Sequence, residues 1–397
     1  MGLEKKSSLF PSYARYPLAL VKGEGSRLWD DQGNEYLDFA SGLAVTSLGH
    51  CPPQVKEALV AQLDELWHVS NLFHIPNQEK LAGLLTANSC ADAVFFCNSG
   101  AEANEAAIKL ARRYNSRVLN NERYEIITFQ QSFHGRTLAT LTATGQDKVK
   151  DGFLPLPEGF VYAPYNDADS LEGYIQDKTC AIMLEMVQAE GGVIPAKPAF
   201  IKEVVRLCEK YNLLLIVDEI QTGMGRTGTL FAYEQYGIQP DIITLAKALG
   251  SGFPIGAMLG QEKLIPAFSA GTHATTFGGT PIAMSAAIAT VETMLEQMLP
   301  ERAARISAMI FEKLHAELDQ NSYVKEIRGA GLLIGIECVQ PIADLIAEAR
   351  ERGLLVVPAG PNVIRLLPNL LVSEADVEKA IEILSSILAS RNATVIQ

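Results

Sequence analysis

Cysteine is sparse and unpaired in this 397-residue chain: six residues, at 51, 90, 97, 180, 208 and 338, with no C-x-x-C pair among them. That scatter excludes a zinc ribbon or a disulfide framework and suits reduced, mostly buried thiols in a cytoplasmic protein. Positive charge is also short, with 33 Lys and Arg against 46 Asp and Glu and a formal net charge of −13. The balance argues against nucleic acid or an anionic membrane as partner, so an anionic ligand must be held by local cations. Runs of about eighteen apolar residues are missing. The start, Met1-Gly-Leu-Glu-Lys-Lys-Ser-Ser8, is charged but does not lead into the apolar stretch of a secretion signal, so the expected location is the cytoplasm. What remains is an ordinary globular composition, 48% hydrophobic and 20% charged. Its length exceeds what one hydrophobic core usually supports, which predicts two domains, or a large one with a smaller appendage.

The chain is organised around Leu213-Leu-Leu-Ile-Val-Asp-Glu-Ile-Gln221 and Asp241-Ile-Ile-Thr-Leu-Ala-Lys247. Each apolar run predicts a strand buried on both faces, and such strands deliver polar residues at their carboxyl ends. Singly, Asp218 reads as a helix cap and Lys247 as a surface charge. Together, at the carboxyl edge of one parallel sheet, they stand where α/β folds place ligands. An acid and a lysine there suit pyridoxal 5'-phosphate, whose chemistry needs a lysine for a Schiff base and an acid against the pyridinium nitrogen.

The strings Val217-Asp-Glu-Ile-Gln-Thr-Gly-Met-Gly-Arg-Thr-Gly228 and Leu245-Ala-Lys-Ala-Leu-Gly250 resemble the signature of class III pyridoxal-phosphate aminotransferases. The resemblance covers nearly the whole chain and within that class is strongest to the acetylornithine aminotransferases. It implies an α/β fold of the fold-type I kind, a mostly parallel central sheet flanked by helices, with a smaller α+β domain formed by the chain ends. The expected division is 1–50 with the small domain, 51–300 as the large cofactor-binding domain and 301–397 as the carboxy-terminal small domain. It also implies a homodimer with shared active sites, an amino donor and 2-oxoglutarate as substrates, and a place in arginine biosynthesis.

Along the chain, Leu28–Asp38 reads as a β-hairpin about a Gly-Asn turn. Helices are predicted from Pro53 to about Leu66 and from about Gln78 to Asn88. A short apolar strand then runs into Ser99-Gly-Ala, where a helix begins; its free N–H groups and dipole make an anion site, or a plain cap. Beside Asp218 and Lys247, Ser99, Gly100 and Ala101 become the natural cradle for the cofactor phosphate. The strand Glu125–Phe129 leads to the turn Ser132-Phe-His-Gly-Arg-Thr137. Phe133 alone reads as core and Arg136 as surface. The resemblance implies instead that Phe133 stacks on the cofactor ring and that Arg136 grips a substrate carboxylate, which a planar guanidinium can do bidentately. His134 is expected to shape the turn. The stretch from Gly145 to about Asp169 reads as an irregular surface connection.

Next comes Ala181-Ile-Met-Leu-Glu-Met-Val-Gln-Ala-Glu-Gly-Gly192, a strand with two acids near its end, then an amphipathic helix from about Phe200 to Tyr211. The thiol-proline stretch Cys51-Pro-Pro53 and the residues Met186, Ala189, Ala248, Ser251, Ala274 and Thr280 depart from the family's usual wording. In Gly271-Thr-His-Ala-Thr-Thr276 the hydroxyls can cap the next helix or bind phosphate. The resemblance implies that Thr276 reaches the cofactor phosphate of the neighbouring subunit and that Thr275 touches substrate. It also places Asp218, Glu219, Ile220 and Gln221 along the cofactor. Helices are predicted over about Pro281–Gln297, Glu301–Leu318 and Ala343–Arg352, with strands near Val324–Arg328, Leu332–Cys338, Leu354–Val357 and Val363–Leu367. A final helix is capped by Ser373. Arg365 lies inside an apolar run, where a charge is costly unless paired. By resemblance it clamps the α-carboxylate of glutamate or 2-oxoglutarate, and Glu190 pairs with it when the other substrate binds.

Rival readings are another class III ω-aminotransferase, acting on ornithine, succinylornithine, 4-aminobutyrate or diaminobutyrate, and an isomerase of the glutamate-1-semialdehyde aminomutase type. Stimulation by 2-oxoglutarate separates the isomerase. A cofactor-binding scaffold without activity would lack visible absorption from a lysine adduct.

Overall fold

Apolar β-branched runs supply the strands of a seven-stranded sheet in the computed structural model, which describes residues 8–395. The charged start Met1–Ser7 lies outside them. Across the sheet the order is Ala93–Cys97, Gly256–Gly260, Ile242–Leu245, Leu214–Asp218, Thr179–Glu185, Glu125–Phe129 and Phe160–Ala163. Gly256–Gly260 runs antiparallel to both neighbours, and the other pairings are parallel. The mostly parallel sheet is therefore as expected. Leu214–Asp218 is buried throughout, and register sets Asp218 beside Thr244 on one side and Glu185 on the other. Three polar residues thus share one carboxyl edge.

Helices cover both faces. Gly100–Arg117 packs Ala106, Ala107, Leu110 and Ala111 against Ile126, Met183, Ile216 and Met258. Pro198–Tyr211 puts Phe200, Ile201, Val204 and Leu207 on the other face; burial of side chains this size stabilises by about 1.5–3 kcal/mol each. Asn212 ends that helix in the left-handed conformation and turns the chain directly into the central strand.

The stretch between Gly145 and Asp169 is less irregular than expected. Its Phe160-Val-Tyr-Ala163 segment forms the outermost strand, where one neighbour supplies all the pairing and the local apolar pattern can be short. Leu354–Val357 is likewise two strands. Leu354–Leu355 runs parallel to Glu35–Asp38 in a sheet with Leu20–Glu24 and Arg27–Asp30, whereas Val357–Pro358 pairs with Val363–Leu366. The chain's beginning and end are joined by this sheet. The second small sheet consists of Val324–Ala330, Leu333–Cys338, Val363–Leu366 and Val357–Pro358, all antiparallel.

Among the described residues no helix is long and apolar enough to cross a membrane, and no group of three His, Cys, Asp or Glu residues could hold a metal ion. All six cysteines are free; Cys51 is exposed, Cys90 half-buried and the rest buried.

Candidate active site

Chain geometry forces Lys247 into the interior. It leaves the Ile242–Leu245 strand with a positive φ of 44°, a conformation rare for a residue with a side chain, and the next residues tighten into a 3₁₀ turn ending at Ser251, also left-handed. The lysine borders a cavity of about 380 Å³ at the carboxyl edge of the sheet, shared with Ser99, Phe133, Glu185, Asp218 and Gln221. Burial pushes its amine down to about 8, although Glu190 and Asp218 pull the other way. An amine that gives up its proton about one pH unit above neutrality is therefore held at the wall of the cavity.

Asp218 is fixed from three directions. Oδ2 faces Nδ1 of His134 at 2.8 Å and accepts from Asn104 Nδ2 at 2.8 Å, and Oδ1 accepts from the Ile220 amide at 3.1 Å. Asn104 is oriented in turn, since Thr244 Oγ1 donates to its Oδ1 at 2.7 Å and its amide also reaches the His134 carbonyl at 2.7 Å. Beside an ionised Asp218 the hydrogen of His134 belongs on Nδ1. His134 thus shapes the turn, as expected, and also holds the acid. Sequence reasoning passed over Asn104 and Thr244; the available signal was an Asn on the buried face of an alanine-rich helix, where a polar amide needs partners.

At the start of helix Gly100–Arg117, Ser99 Oγ accepts from the Glu102 amide at 3.3 Å, and Glu102 accepts from the Asn98 amide at 2.6 Å. This cap, in which the Glu102 carboxylate reaches past Ser99 to Asn98, leaves the Gly100 and Ala101 amides at the cavity wall. Gly100 has no room for a side chain, since a Cβ there would stand 2.7 Å from Ile220 Cδ1.

Phe133 is half-buried in the cavity wall, and its amide donates to Glu185 Oε1 at 2.9 Å. Burial, reinforced by neighbouring Asp218, drives the Glu185 carboxyl well above its usual range. Arg136 is exposed, 5.5 Å from the Phe133 ring centre, and makes no ion pair with the described residues. Arg365 is 1% exposed, and its Nη1 donates to Glu190 Oε1 at 2.7 Å and to Gln221 Oε1 at 3.3 Å. For Glu190, burial works upward, but Arg365, Lys247 and Gln221 together leave its carboxyl below the ordinary value. The pairing expected of Glu190 and Arg365 is present.

Two groups of expected residues stand elsewhere. The Glu219 side chain turns away from the cavity, accepting from Thr222 Oγ1 at 2.5 Å and the Tyr233 amide at 2.9 Å; burial lifts it to about 7. Thr275 and Thr276 border a separate cavity of about 740 Å³ with His68, Asn71 and His273. Thr275 Oγ1 there accepts from the Gly278 amide at 3.1 Å. Of the departures from family wording, Met186 and Ala189 are fully buried in apolar clusters, and Thr280 donates to the Trp67 carbonyl at 2.6 Å.

A buried amine at a strand tip, an acid held by three donors, an aromatic wall and free amides at a helix start form a donor set that fits pyridoxal phosphate. The class III aminotransferase family model matches residues 10–388. The chain belongs to the class III aminotransferases. As a member, it is a pyridoxal-phosphate-dependent transaminase. It is 51% identical over 388 residues to the acetylornithine aminotransferase of Bacillus subtilis, covering 98% of this chain and 99% of that protein. With the acetylornithine aminotransferase of Bacillus cereus it shares 50% over 390 residues, 98% of this chain and 100% of the other. Among solved structures, the N-acetylornithine aminotransferase of Stenotrophomonas maltophilia superposes with a TM-score of 0.84 at 38% identity, covering 96% and 98% of the two chains. An ornithine aminotransferase of Toxoplasma gondii gives 0.93 at 33%, covering 98% and 94%.

Proposed function

We propose that this class III aminotransferase moves the terminal amino group of N2-acetyl-L-ornithine to 2-oxoglutarate, giving N-acetyl-L-glutamate 5-semialdehyde and L-glutamate, in arginine biosynthesis. The observation that carries the two-substrate reading is the Glu190–Arg365 pair facing Lys247. It gives one cavity two electrostatic states. With the pair closed, the guanidinium is neutralised and an amine with no carboxylate at its reacting carbon is tolerated. With the pair open, Arg365 is free to take the α-carboxylate of glutamate or 2-oxoglutarate. The similarity to acetylornithine aminotransferases across nearly the whole chain supports the acetylornithine donor.

Pyridoxal phosphate, when bound, supplies an aldehyde for the amine and a ring that stores the electrons of the broken C–H bond. Lys247 would hold it, with Ser99, Gly100 and Ala101 at its phosphate, Phe133 against its ring, and Ile220 and Gln221 at its border. With its pKa lowered toward neutrality, the Lys247 amine is the group that would move the proton between substrate carbon and the product side. Asp218 would face the ring nitrogen, where its negative charge would favour a protonated ring, and His134 and Asn104 keep Asp218 aimed. Arg136 binds the donor's distal carboxylate, and Glu185 fixes the Phe133 wall. In our reading Thr276 serves the phosphate of a second subunit in a homodimer, with Thr275 at the substrate of that site. The division at about residues 50 and 300, and a cytoplasmic location, belong to the same proposal.

Borohydride reduction of the holoenzyme followed by peptide mapping should place the label on Lys247. A panel of N-acetylornithine, succinylornithine, ornithine, 4-aminobutyrate and diaminobutyrate with 2-oxoglutarate should give N-acetylornithine the highest kcat/KM. A label on another amine would overturn the site, and a different preferred donor would overturn the substrate. Sedimentation of a monomer under assay conditions would refute the shared site.

A further inference from the structure

The chain's deepest guanidinium is not in the cavity. Arg226 is fully buried and, among the described residues, forms no ion pair, the Asp38 carboxylate supporting its charge only from a distance. Its Nη1 donates to the Leu332 carbonyl at 3.1 Å and to the Pro368 carbonyl, and Nη2 donates to Ser47 Oγ at 3.1 Å. The Leu332 amide returns a bond to the Arg226 carbonyl at 2.8 Å. Burial lowers the Arg226 guanidinium to about 10, which leaves it charged at neutral pH. A buried cation whose hydrogen bonds all go to neutral acceptors, and whose Nε has no partner, is costly as a packing element, and an apolar side chain would fill the same space more cheaply.

The acceptors explain the placement. Leu332 immediately precedes the strand Leu333–Cys338, and Pro368 follows the strand Val363–Leu366 by two residues. These two strands are paired, with Gly335 opposite Arg365. Arg226 therefore grips, at one end, the ribbon that carries Arg365. The loop that supplies Arg226 begins at Asp218 and also supplies Gln221, whose Oε1 accepts from Arg365 Nη1. One loop thus meets Arg365 directly through Gln221 and steers its strands through Arg226. Close approach leaves no slack, since a Cβ on Gly331, in the turn joining the two strands Val324–Ala330 and Leu333–Cys338, would collide with the Arg226 and Thr227 backbone.

We propose that Arg226 is a positioning residue for the carboxylate clamp: it fixes the ribbon bearing Arg365 relative to Asp218 and Lys247. The inference rests on the reading of Arg365 as the clamp. A guanidinium can bridge two carbonyls and a hydroxyl in a fixed plane, whereas a lysine ammonium keeps the charge and loses the planar fork.

Arg226→Lys should leave the amine-donor half-reaction within about threefold, while the single-turnover rate with 2-oxoglutarate falls and its Kd by calorimetry on the holoenzyme rises, each by roughly tenfold or more. Ser47→Ala, which removes one contact and keeps the arginine, should shift the same ratio in the same direction by a few-fold, and it carries the test if the lysine variant does not fold. Equal loss in both half-reactions, or a lowered urea midpoint with an unchanged ratio in both variants, would overturn the proposal. Arg365→Lys is the control. If it leaves 2-oxoglutarate binding unchanged, the clamp reading itself fails; if it abolishes binding while Arg226→Lys and Ser47→Ala leave the ratio intact, only the positioning role fails.

Discussion

Replacing Glu190 by alanine should split the two half-reactions. In the native protein Arg365 Nη1 and Glu190 Oε1 are 2.7 Å apart, with the guanidinium 1% exposed, so a substrate carboxylate reaching Arg365 has to displace Glu190. A hydrogen bond to a charged group is worth about 1.5–3 kcal/mol, or about 10- to 150-fold in rate or affinity. Without Glu190, an amine that brings no carboxylate to the reacting carbon faces an uncompensated buried cation, and its half-reaction should slow by that factor. Glutamate and 2-oxoglutarate bring their own carboxylate and no longer compete with an internal one. Their half-reaction should stay within about threefold of native or improve. Glu190→Gln keeps an acceptor oxygen without the charge and should fall between. Stopped-flow absorbance under single-turnover conditions reads each half separately. The reasoning is refuted if the alanine variant slows both halves equally, or slows the glutamate half more.

Lysine at 247 gives a pH signature. Its native value near 8 lies below that of an unfolded lysine, about 10.4, so between these values the unfolded chain binds the extra proton and Lys247 adds up to about 3 kcal/mol of apoprotein stability as pH rises, while the thiols of Cys97, Cys180, Cys208 and Cys338, raised by burial, take stability away over the same range. Chemical denaturation of the native and Lys247→Met apoproteins from pH 7.5 to 10.5 tests this, and the native-minus-variant difference should grow with pH by that amount. Asp218→Asn keeps the shape but loses the charge that His134 and Asn104 orient, and turnover should drop at least about 100-fold in steady-state assays. Glu185→Gln keeps an oxygen for the Phe133 amide and removes a charge that burial already disfavours, so turnover should stay within about threefold. Glu185→Leu strands the Phe133 amide and should cost about 1–3 kcal/mol in urea unfolding. Ser251→Gly relieves a left-handed backbone (φ 45°, ψ 41°) and removes a buried hydroxyl without a partner, so its urea midpoint should rise by the equivalent of about 1 kcal/mol.

Much of this was legible because strands and charges announce themselves locally. Five apolar residues before Asp218, and the β-branched run Ile242-Ile-Thr-Leu245 before Ala246-Lys247, are a sheet signal that needs no partner. Arg365 in an apolar run demanded a counter-charge, and the acid 175 positions away at Glu190 is found there. Residues whose meaning depends on register were harder to see. Burial, and then the Asp218 carboxylate that strand pairing sets beside it, push the Glu185 carboxyl upward, and nothing in Leu184-Glu185-Met186 fixes that pairing. The short strand Phe160–Ala163 and the split of Leu354–Pro358 between two sheets also depend on what lies alongside.

Arg226 shows the same limit from the other side. In sequence it is one more charged residue in a glycine-rich loop, and charge plus glycine ordinarily reads as solvated turn. Its burial follows from three distant segments, at Ser47, Leu332 and Pro368, closing over it at once. A loop that orients the acid at its start, touches the clamp at its third residue beyond and anchors the clamp's strands five residues later couples chemistry to domain packing. Substitutions along it should then change which substrate is favoured before they change whether the protein folds. The opposite order in a scan of residues 219–228, with stability lost first and selectivity intact, would mean the loop serves packing alone.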